Sequence, residues 1–326
     1  MSLDIARILL TSPSVLQKYD LPEHVLDVLS RSTVKRVSII GRRGPLQAAF
    51  TNKELRELLT LPEASMDPID PSLLVLPQGT SLSRQQRRTL ELLQRGSQQT
   101  PGTTPKSWSF EFYRSPVALT PPTSSSTDMA RLTLAHTCVD PATGRAALTG
   151  ETSTHSTSLV VTSLGFRADP ETDFFDPSTN HLSSRGNRLC LSSGTAIPNM
   201  YTSGWAAYGS KGVLASTMMD AYAAADTVLS DIMSRSDLNM APPGDHSAAL
   251  SRLVLNPQPD LEDPPEEVMQ GIKDGIVTQY EDWKAVDAAE VLEGEKLHKE
   301  RERMDWEGAR TFLLSGHNVT DSKHTT

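Results

Sequence analysis

The run from Val37 to Glu57, VSIIGRRGPLQAAFTNKELRE, constrains the fold of this 326-residue chain more than any other segment. A short strand rich in β-branched residues, Val37 to Ile40, ends in Gly41. Two adjacent arginines, Arg42 and Arg43, come next, and Thr51 then opens a helix. Strand, glycine, cationic loop and helix, in that order, are the parts of a loop that reads phosphate at the edge of a nucleotide-binding βαβ unit.

In such a unit a carboxylate after the second strand reads a ribose 2′-hydroxyl, and arginine replaces it where that position carries a phosphate. Arg42 and Arg43 therefore point to NADP(H) rather than NAD(H). Guanidinium presents paired donors that match a phosphate dianion, and each charge-assisted bond contributes roughly 1.5–3 kcal/mol. Two surface arginines that are only solvated would look the same from the dipeptide alone. Thr51-x-x-Glu54 likewise reads as a capping box, which satisfies helix N-terminal amides without any ligand.

Further segments carry a resemblance. The stretch GRRGPLQAAFTNKELRE resembles the GRRGP-[LIVM]-Q-x-[AS]-F-T-x-K-E-[LM]-R-E segment of the NADPH:adrenodoxin (ferredoxin) reductases, mitochondrial flavoproteins that feed electrons to [2Fe-2S] ferredoxins. Ser2 to Leu10 (SLDIARILL) is similar to the helix after that family's NADP-binding glycine loop. Phe112 to Pro116 (FYRSP) is similar to its F-[FY]-R-S-P strand end, and Val160 to Phe166 (VVTSLGF) to its interdomain strand. Gly204 to Asp220 (GWAAYGSKGVLASTMMD) resembles its G-W-x-x-x-G-x-x-G-V-[IL]-A-[ST]-T-M-x-D run. No G-x-G-x-x-G or G-x-G-x-x-A occurs, so the chain is expected to start inside the family's pattern, after the glycine loop and after the upstream FAD-binding βαβ unit.

The resemblance implies an α/β protein: an NADP-binding Rossmann-like domain plus the C-terminal part of an FAD-binding domain, an incomplete two-dinucleotide-binding-domain flavoprotein. Residues 1–165 would form the NADP(H)-binding domain without its first strand and glycine loop. Residues 166–326 would form the C-terminal part of the FAD-binding domain with an acidic helical tail. The implied cofactors are NADP, at Arg42, Arg43 and Glu54, and FAD, at Trp205, Gly212, Val213 and Leu214. Gly212 also falls near the nicotinamide. Asp4 matches an acidic position near the family's flavin and is a candidate for proton handling. The implied chemistry is hydride transfer from nicotinamide C4 to flavin N5, then two single-electron steps to the iron–sulfur partner.

Composition agrees with an enzyme or a large part of one. With 37% hydrophobic and 22% charged residues and no apolar run near eighteen, the sequence offers no transmembrane helix. Cys138 and Cys190 lack metal or redox spacing and imply a reducing compartment. No basic amphipathic transit segment precedes Ser2, so a mitochondrial location, with peripheral association to the inner membrane, is implied by the resemblance alone. The net charge of −9 is uneven: thirteen basic against ten acidic residues over 1–100, nine against eighteen over 241–326. The front is mildly basic and the tail strongly acidic.

The pattern predicts helices over Leu3–Leu10, Leu21–Leu29 (Pro22 near its start and Glu23 completing a box), Thr51–Leu59 and Arg84–Arg95, the last capped by Ser83 and Gln86 and stopped by Gly96. Residues 61–80 read as Pro-rich loop, and 97–106 and 119–127 as mobile Ser/Thr/Pro-rich segments. Trp108-x-Phe110-x-Phe112 and Leu132-x-Leu134 alternate as half-buried antiparallel strands do. Residues 168–198 read as mostly irregular and Met200–Thr202 as a short strand. After a turn at Gly209–Gly212 a long alanine-rich helix runs from Val213 to about Ser234. Its N-terminal amides, with about half a positive charge, would favour a reduced, anionic flavin if aimed at the ring's pyrimidine edge. In the tail, Glu293–Arg303 reads as a solvated helix face, and Asp282-Trp283 and Asp305-Trp306 as anchors onto the flavin domain.

Arg84, Arg88 and Arg95 share one helix face, with Arg87 beside them and Arg56 on the preceding helix. A soluble helix showing its charged side explains this equally well. Nucleic acid is a poor partner: the basic stretch is short and lacks interleaved aromatics. In the resembled family, arginines matching Arg56, Arg84 and Arg88 lie on the docking side for an acidic [2Fe-2S] ferredoxin, which such a patch would steer. Gln86 stands where relatives often carry another basic residue. A non-catalytic remnant that keeps only weak 2′-phosphate binding or an interaction surface is the competing expectation. A flavoprotein subunit of the glutamate-synthase kind lacks support, because its extra cysteine clusters are missing.

Overall fold

The computed structural model describes residues 1–76, 81–123, 129–140, 143–209, 214–237 and 264–320. They fall into two compact units: residues 1–161 together with the tail from 264, and residues from 162 through the long helix that ends at Asp237.

The first unit begins with α1 (Ser2–Leu10), a single helical turn α2 (Pro13–Leu16) and α3 (Glu23–Ser30). β1 (Arg36–Gly41) leads through the arginine loop to α4 (Asn52–Leu59). Thr51 caps α4 as expected: its hydroxyl accepts from the Glu54 N–H at 3.2 Å, and the Glu54 carboxylate accepts from the Thr51 N–H at 2.6 Å. A second box closes α5 (Arg84–Arg95), with Ser83 and Gln86 in the two roles and Gly96, at φ +73°, ending it. The box expected for α3 does not form. Pro22 is its N-cap and offers no side-chain bond, and the Glu23 N–H donates to Glu302 of the tail at 2.9 Å.

β3 (Lys106–Phe112) lies between β1 and the short β2 (Ala64–Met66) and pairs with both in parallel. The expected antiparallel pairing at Trp108–Phe112 is thus corrected. Period-two alternation reports a strand's faces and not its direction; the α5 crossover is what sets direction here. β2 hides inside the stretch expected to be loop, because Ala-Ser-Met carries no pattern and only pairing with β3 makes it a strand. Leu3, Ala6 and Leu10 of α1, Leu55 and Leu58 of α4 and Leu93 of α5 bury against Trp108, Phe110 and Phe112. Within that core Phe50 and Phe112 each stack on Phe110, at 5.4 and 5.0 Å. A separate antiparallel sheet, β4 (Arg114–Thr120), β5 (Ala130–Val139) and β6 (Ala146–Thr157), follows, as Leu132-x-Leu134 predicted.

The tail helices are α8 (Glu266–Lys273), α9 (Tyr280–Lys296) and α10 (Trp306–Thr320). The tail does not group with residues 166 onward as expected. It packs on the first unit through charges. The Lys299 ammonium, whose side chain is 0% exposed, donates to Glu23 at 2.9 Å and to the Leu21 carbonyl at 2.8 Å, and pairs with Glu302. Arg301 pairs with Asp287, and Arg303 with Glu290 at 2.9 Å and Asp20 at 3.4 Å. The solvated face expected for Glu293–Arg303 is therefore corrected: α9 stops at Lys296, and the basic residues beyond it turn inward to partners some 280 positions away in sequence. Among the described residues Trp283 and Trp306 are exposed, and Trp283 stacks on Tyr280.

The second unit starts with short strands: β7 (Phe175–Asp176), β8 (His181–Leu182), β9 (Ser184–Arg185) and β10 (Arg188–Cys190). β11 (Ala196–Tyr201) then leads into one helical turn, α6 (Trp205–Tyr208). α7 (Leu214–Asp237) follows. Leu189, Leu191 and Ile197 form a small core with Phe174, Leu182 and Met200.

Candidate functional site

The arginine loop is held by its backbone and free at its side chains. β1 ends opposite the end of β3, Gly41 beside Phe112. The Arg42 carbonyl accepts from the Thr137 hydroxyl of β5 at 2.8 Å, and the Arg43 carbonyl accepts from the Tyr113 N–H at 3.4 Å. Both arginine side chains are exposed and make no ion pair with any described residue. The loop then passes under Tyr113, whose ring covers Gly44, and Gln86 at the start of α5 donates to the Leu46 carbonyl at 3.1 Å. Two fixed carbonyls, a stacked glycine and a side-chain tether give the guanidinium forks a rigid base, which lowers the entropy lost when they order around an anion. Neither Tyr113 nor Thr137 stood out in sequence; their roles come from adjacency across strands.

Glu54 sits in this neighbourhood, but one of its carboxylate oxygens is taken by the Thr51 cap. Asp4, on α1, pairs with Arg7 at 3.3 Å, and Arg7 also pairs with Glu57 of α4, so the three form one bridge between helices. Arg56 and Arg84 are exposed; the Arg56 Nε donates to the Asn52 carbonyl at 3.0 Å, and Arg88 pairs with Glu91 at 3.0 Å. Asn52 joins the two helices that carry these arginines, accepting from the Thr89 hydroxyl at 2.8 Å. Arg56 and the α5 arginines therefore rise from neighbouring helices, as the sequence suggested. Gln86, the departure from a basic residue, is used for capping and for the loop tether.

In the second unit the chain leaves β11 through Gly204, at φ +62°, makes the α6 turn and exits through Gly209, at φ +77°. Both glycines are needed: left-handed backbone disfavours a side chain, and the His181 ring occupies the space beside the Gly209 Cα. Trp205 opens this turn with its indole 57% exposed, stacked at 5.6 Å on Phe166, itself 60% exposed. Asp220 of α7 grips the turn from below, accepting from the Gly204 N–H at 2.5 Å, the Ser203 hydroxyl at 2.7 Å and the Asn187 carboxamide at 3.1 Å. The Gly204 amide, with Ser203, Asn187 and Tyr208, holds the Asp220 carboxyl below its ordinary value against the opposing effect of burial. Arg188 forks onto Asp231 of α7 at 2.6 and 2.8 Å, and the Tyr201 hydroxyl donates to the same carboxylate at 3.0 Å. Leu214 is the first residue of α7. Gly212 and Val213 lie outside the described residues.

Paired free guanidiniums suit a phosphate dianion, and an exposed indole on a glycine-framed turn suits the face of a planar ring. The fold is similar to about two thirds of that of FprA, a ferredoxin–NADP reductase with two dinucleotide-binding domains. FprA from Mycobacterium tuberculosis, solved in complex with NADPH, superposes with a TM-score of 0.72 at 26% identity over 96% of this chain and 65% of its own.

Among curated proteins the chain is 34% identical over 328 residues to the mitochondrial NADPH:adrenodoxin oxidoreductase of Salvelinus fontinalis and 33% identical over 317 residues to that of Homo sapiens. Each alignment covers 93% of this chain, against 59% of the fish protein and 60% of the human one. The chain is a homologue of the NADPH:adrenodoxin oxidoreductases and spans about three-fifths of their length. No protein-family model matches it. Among the described residues no helix is long and apolar enough to cross a membrane.

Proposed function

We propose that this chain carries the NADP-binding part and the C-terminal flavin-contacting part of an NADPH-dependent ferredoxin reductase of the adrenodoxin reductase type. The observation that carries the reading is the state of Arg42 and Arg43: adjacent, exposed, unpaired with any described residue, and standing on a loop pinned by Thr137, Tyr113 and Gln86. They would grip the 2′-phosphate of NADP(H). Glu54 would serve mainly by holding the N-terminus of α4 in place. Trp205, with Gly212, Val213 and Leu214, would line the flavin, and Asp4 is assigned to proton handling on the resemblance alone.

FAD, when bound, supplies the step from two-electron to one-electron chemistry. The residues of this chain would bind and orient the cofactors. The arginines set which coenzyme enters, and Trp205 offers an apolar face to the ring. Arg56, Arg84 and Arg88 would orient an acidic [2Fe-2S] ferredoxin by charge, and the mitochondrial names of the relatives support the same location here.

Calorimetric titration of the purified chain with NADP⁺ and NAD⁺ tests the coenzyme reading. NADP⁺ should bind at least about a hundredfold more tightly, and Arg42→Ala with Arg43→Ala should erase the difference. Equal affinities in the unaltered chain would remove the 2′-phosphate assignment. A visible spectrum after adding FAD separates the reductase reading from a non-catalytic remnant, which would show no perturbed flavin bands.

A further inference from the structure

The resemblance gives Trp205 a role but says nothing of how an indole on a four-residue turn keeps its place. More than half of its surface is open, and its ring neighbour among the described residues, Phe166, is as exposed as it is. The turn itself is fixed from one point. Asp220 receives the Gly204 backbone N–H, the Ser203 hydroxyl and the Asn187 carboxamide, three donors from two stretches of chain. Asn187 is buried and left-handed, at φ +62°, and is locked in turn by two bonds to Thr202: its carboxamide donates to the Thr202 carbonyl at 3.2 Å, and its own carbonyl accepts from the Thr202 N–H at 2.8 Å. One carboxylate therefore holds the two residues immediately before Trp205 on the frame of α7.

Building on the flavin reading of Trp205, we propose that Asp220 is the positioning residue of the flavin-facing turn: its carboxylate fixes Ser203 and Gly204 so that the Trp205 indole is presented ready-made to the cofactor ring. Preorganisation of this kind lowers the ordering cost of binding. It also predicts a particular pattern of damage. Asp220→Asn keeps size and shape but replaces one accepting oxygen with a donor facing donors, so the turn should loosen while α7 stays seated by the Arg188–Asp231 pair.

The test uses the full chain and two readouts. Hydrogen exchange across residues 203–208 reads the turn without any ligand, and quenching of FAD fluorescence reads the site. Asp220→Asn should speed exchange in that segment and weaken FAD binding, each by about tenfold, and Ser203→Ala, which removes a single donor, should fall between. Asp231→Asn should lower the melting temperature of the unit yet leave both readouts at the unaltered values, since it breaks an ion pair on the same helix away from the turn. If Asp220→Asn binds FAD as tightly as the unaltered chain, or if Asp231→Asn shifts both readouts equally, Asp220 has only a general structural role and the proposal is wrong. If the unaltered chain itself leaves FAD fluorescence unquenched, the flavin reading of Trp205 fails, and the positioning role falls with it.

Discussion

The phenol of Tyr113 occupies the space that a β-carbon on Gly44 would need, so the two residues fit together only because position 44 has no side chain. Tyr113 itself has left-handed backbone at φ +56°, a conformation a bulky residue adopts only when its surroundings impose it. The pair closes the end of the arginine loop next to the Arg43 carbonyl that Tyr113 also contacts. Gly44→Ala should therefore destabilise the first unit by about 1–3 kcal/mol through overpacking and weaken NADP⁺ binding without touching either arginine. Adding Tyr113→Ala should recover part of the Gly44→Ala loss; urea denaturation of the two single variants and the double variant measures this, and strict additivity would show that the two residues do not meet.

The buried ammonium of Lys299 sets the attachment of the tail. Lys299→Met leaves Glu23 and Glu302 facing each other without a cation and should cost about 3–5 kcal/mol in denaturant unfolding. A loss under 1 kcal/mol would mean that the tail is held elsewhere.

The same lysine gives a pH dependence. Burial lowers its pKa, but Glu302 and Glu23 more than offset this, and it titrates above the usual 10.5. A raised folded value means that its contribution is fully present below 10.5 and fades as pH rises through the folded value. Unfolding free energy should therefore drop above that pH in the unaltered chain and stay flatter in Lys299→Met.

Asp220 behaves in the opposite sense. Its folded value lies below 3.8, chiefly through the Gly204 amide, so its contribution is present above 3.8 and lost as pH falls through the folded value. Hydrogen exchange at residues 203–208 should accelerate in acid before the first unit opens, and a simultaneous opening of both units would contradict this.

Charge reversal at Arg84 and Arg88 should slow reduction of a [2Fe-2S] ferredoxin by the full-length reductase about tenfold or more at low ionic strength, with the difference shrinking as salt is added. Reduction of a small uncharged acceptor should be unchanged. Because Arg88 already pairs with Glu91, Arg84→Glu alone should have the larger effect of the two single changes.

The local signals in the sequence are borne out where a few neighbouring residues suffice. Thr51 with Glu54, and Ser83 with Gln86, form both capping boxes because each partner lies three residues away. Gly96 ends α5 for the same reason. The β1 strand and the helices α4 and α5 were legible on the same grounds, and with them the place of Arg42 and Arg43 on the loop between β1 and α4. What could not be read is whatever depends on partners far along the chain. Strand direction at Trp108–Phe112, the strand at Ala64–Met66, and the turning inward of Lys299 onto Glu23 all depend on contacts that no short window contains.

Sequence by itself determined the caps of α4 and α5 and the strand that delivers Arg42 and Arg43, because each is encoded in hydrogen bonds and backbone preferences within one turn of chain. Only the tertiary structure decided that Tyr113 covers Gly44, that Thr137 and Gln86 pin the arginine loop, that Asp220 clasps the Trp205 turn, and that the acidic tail belongs with the first unit. Those are encounters between side chains brought together by packing, and the free energy that selects them comes from burial and desolvated charge, which exist only once the chain has closed on itself.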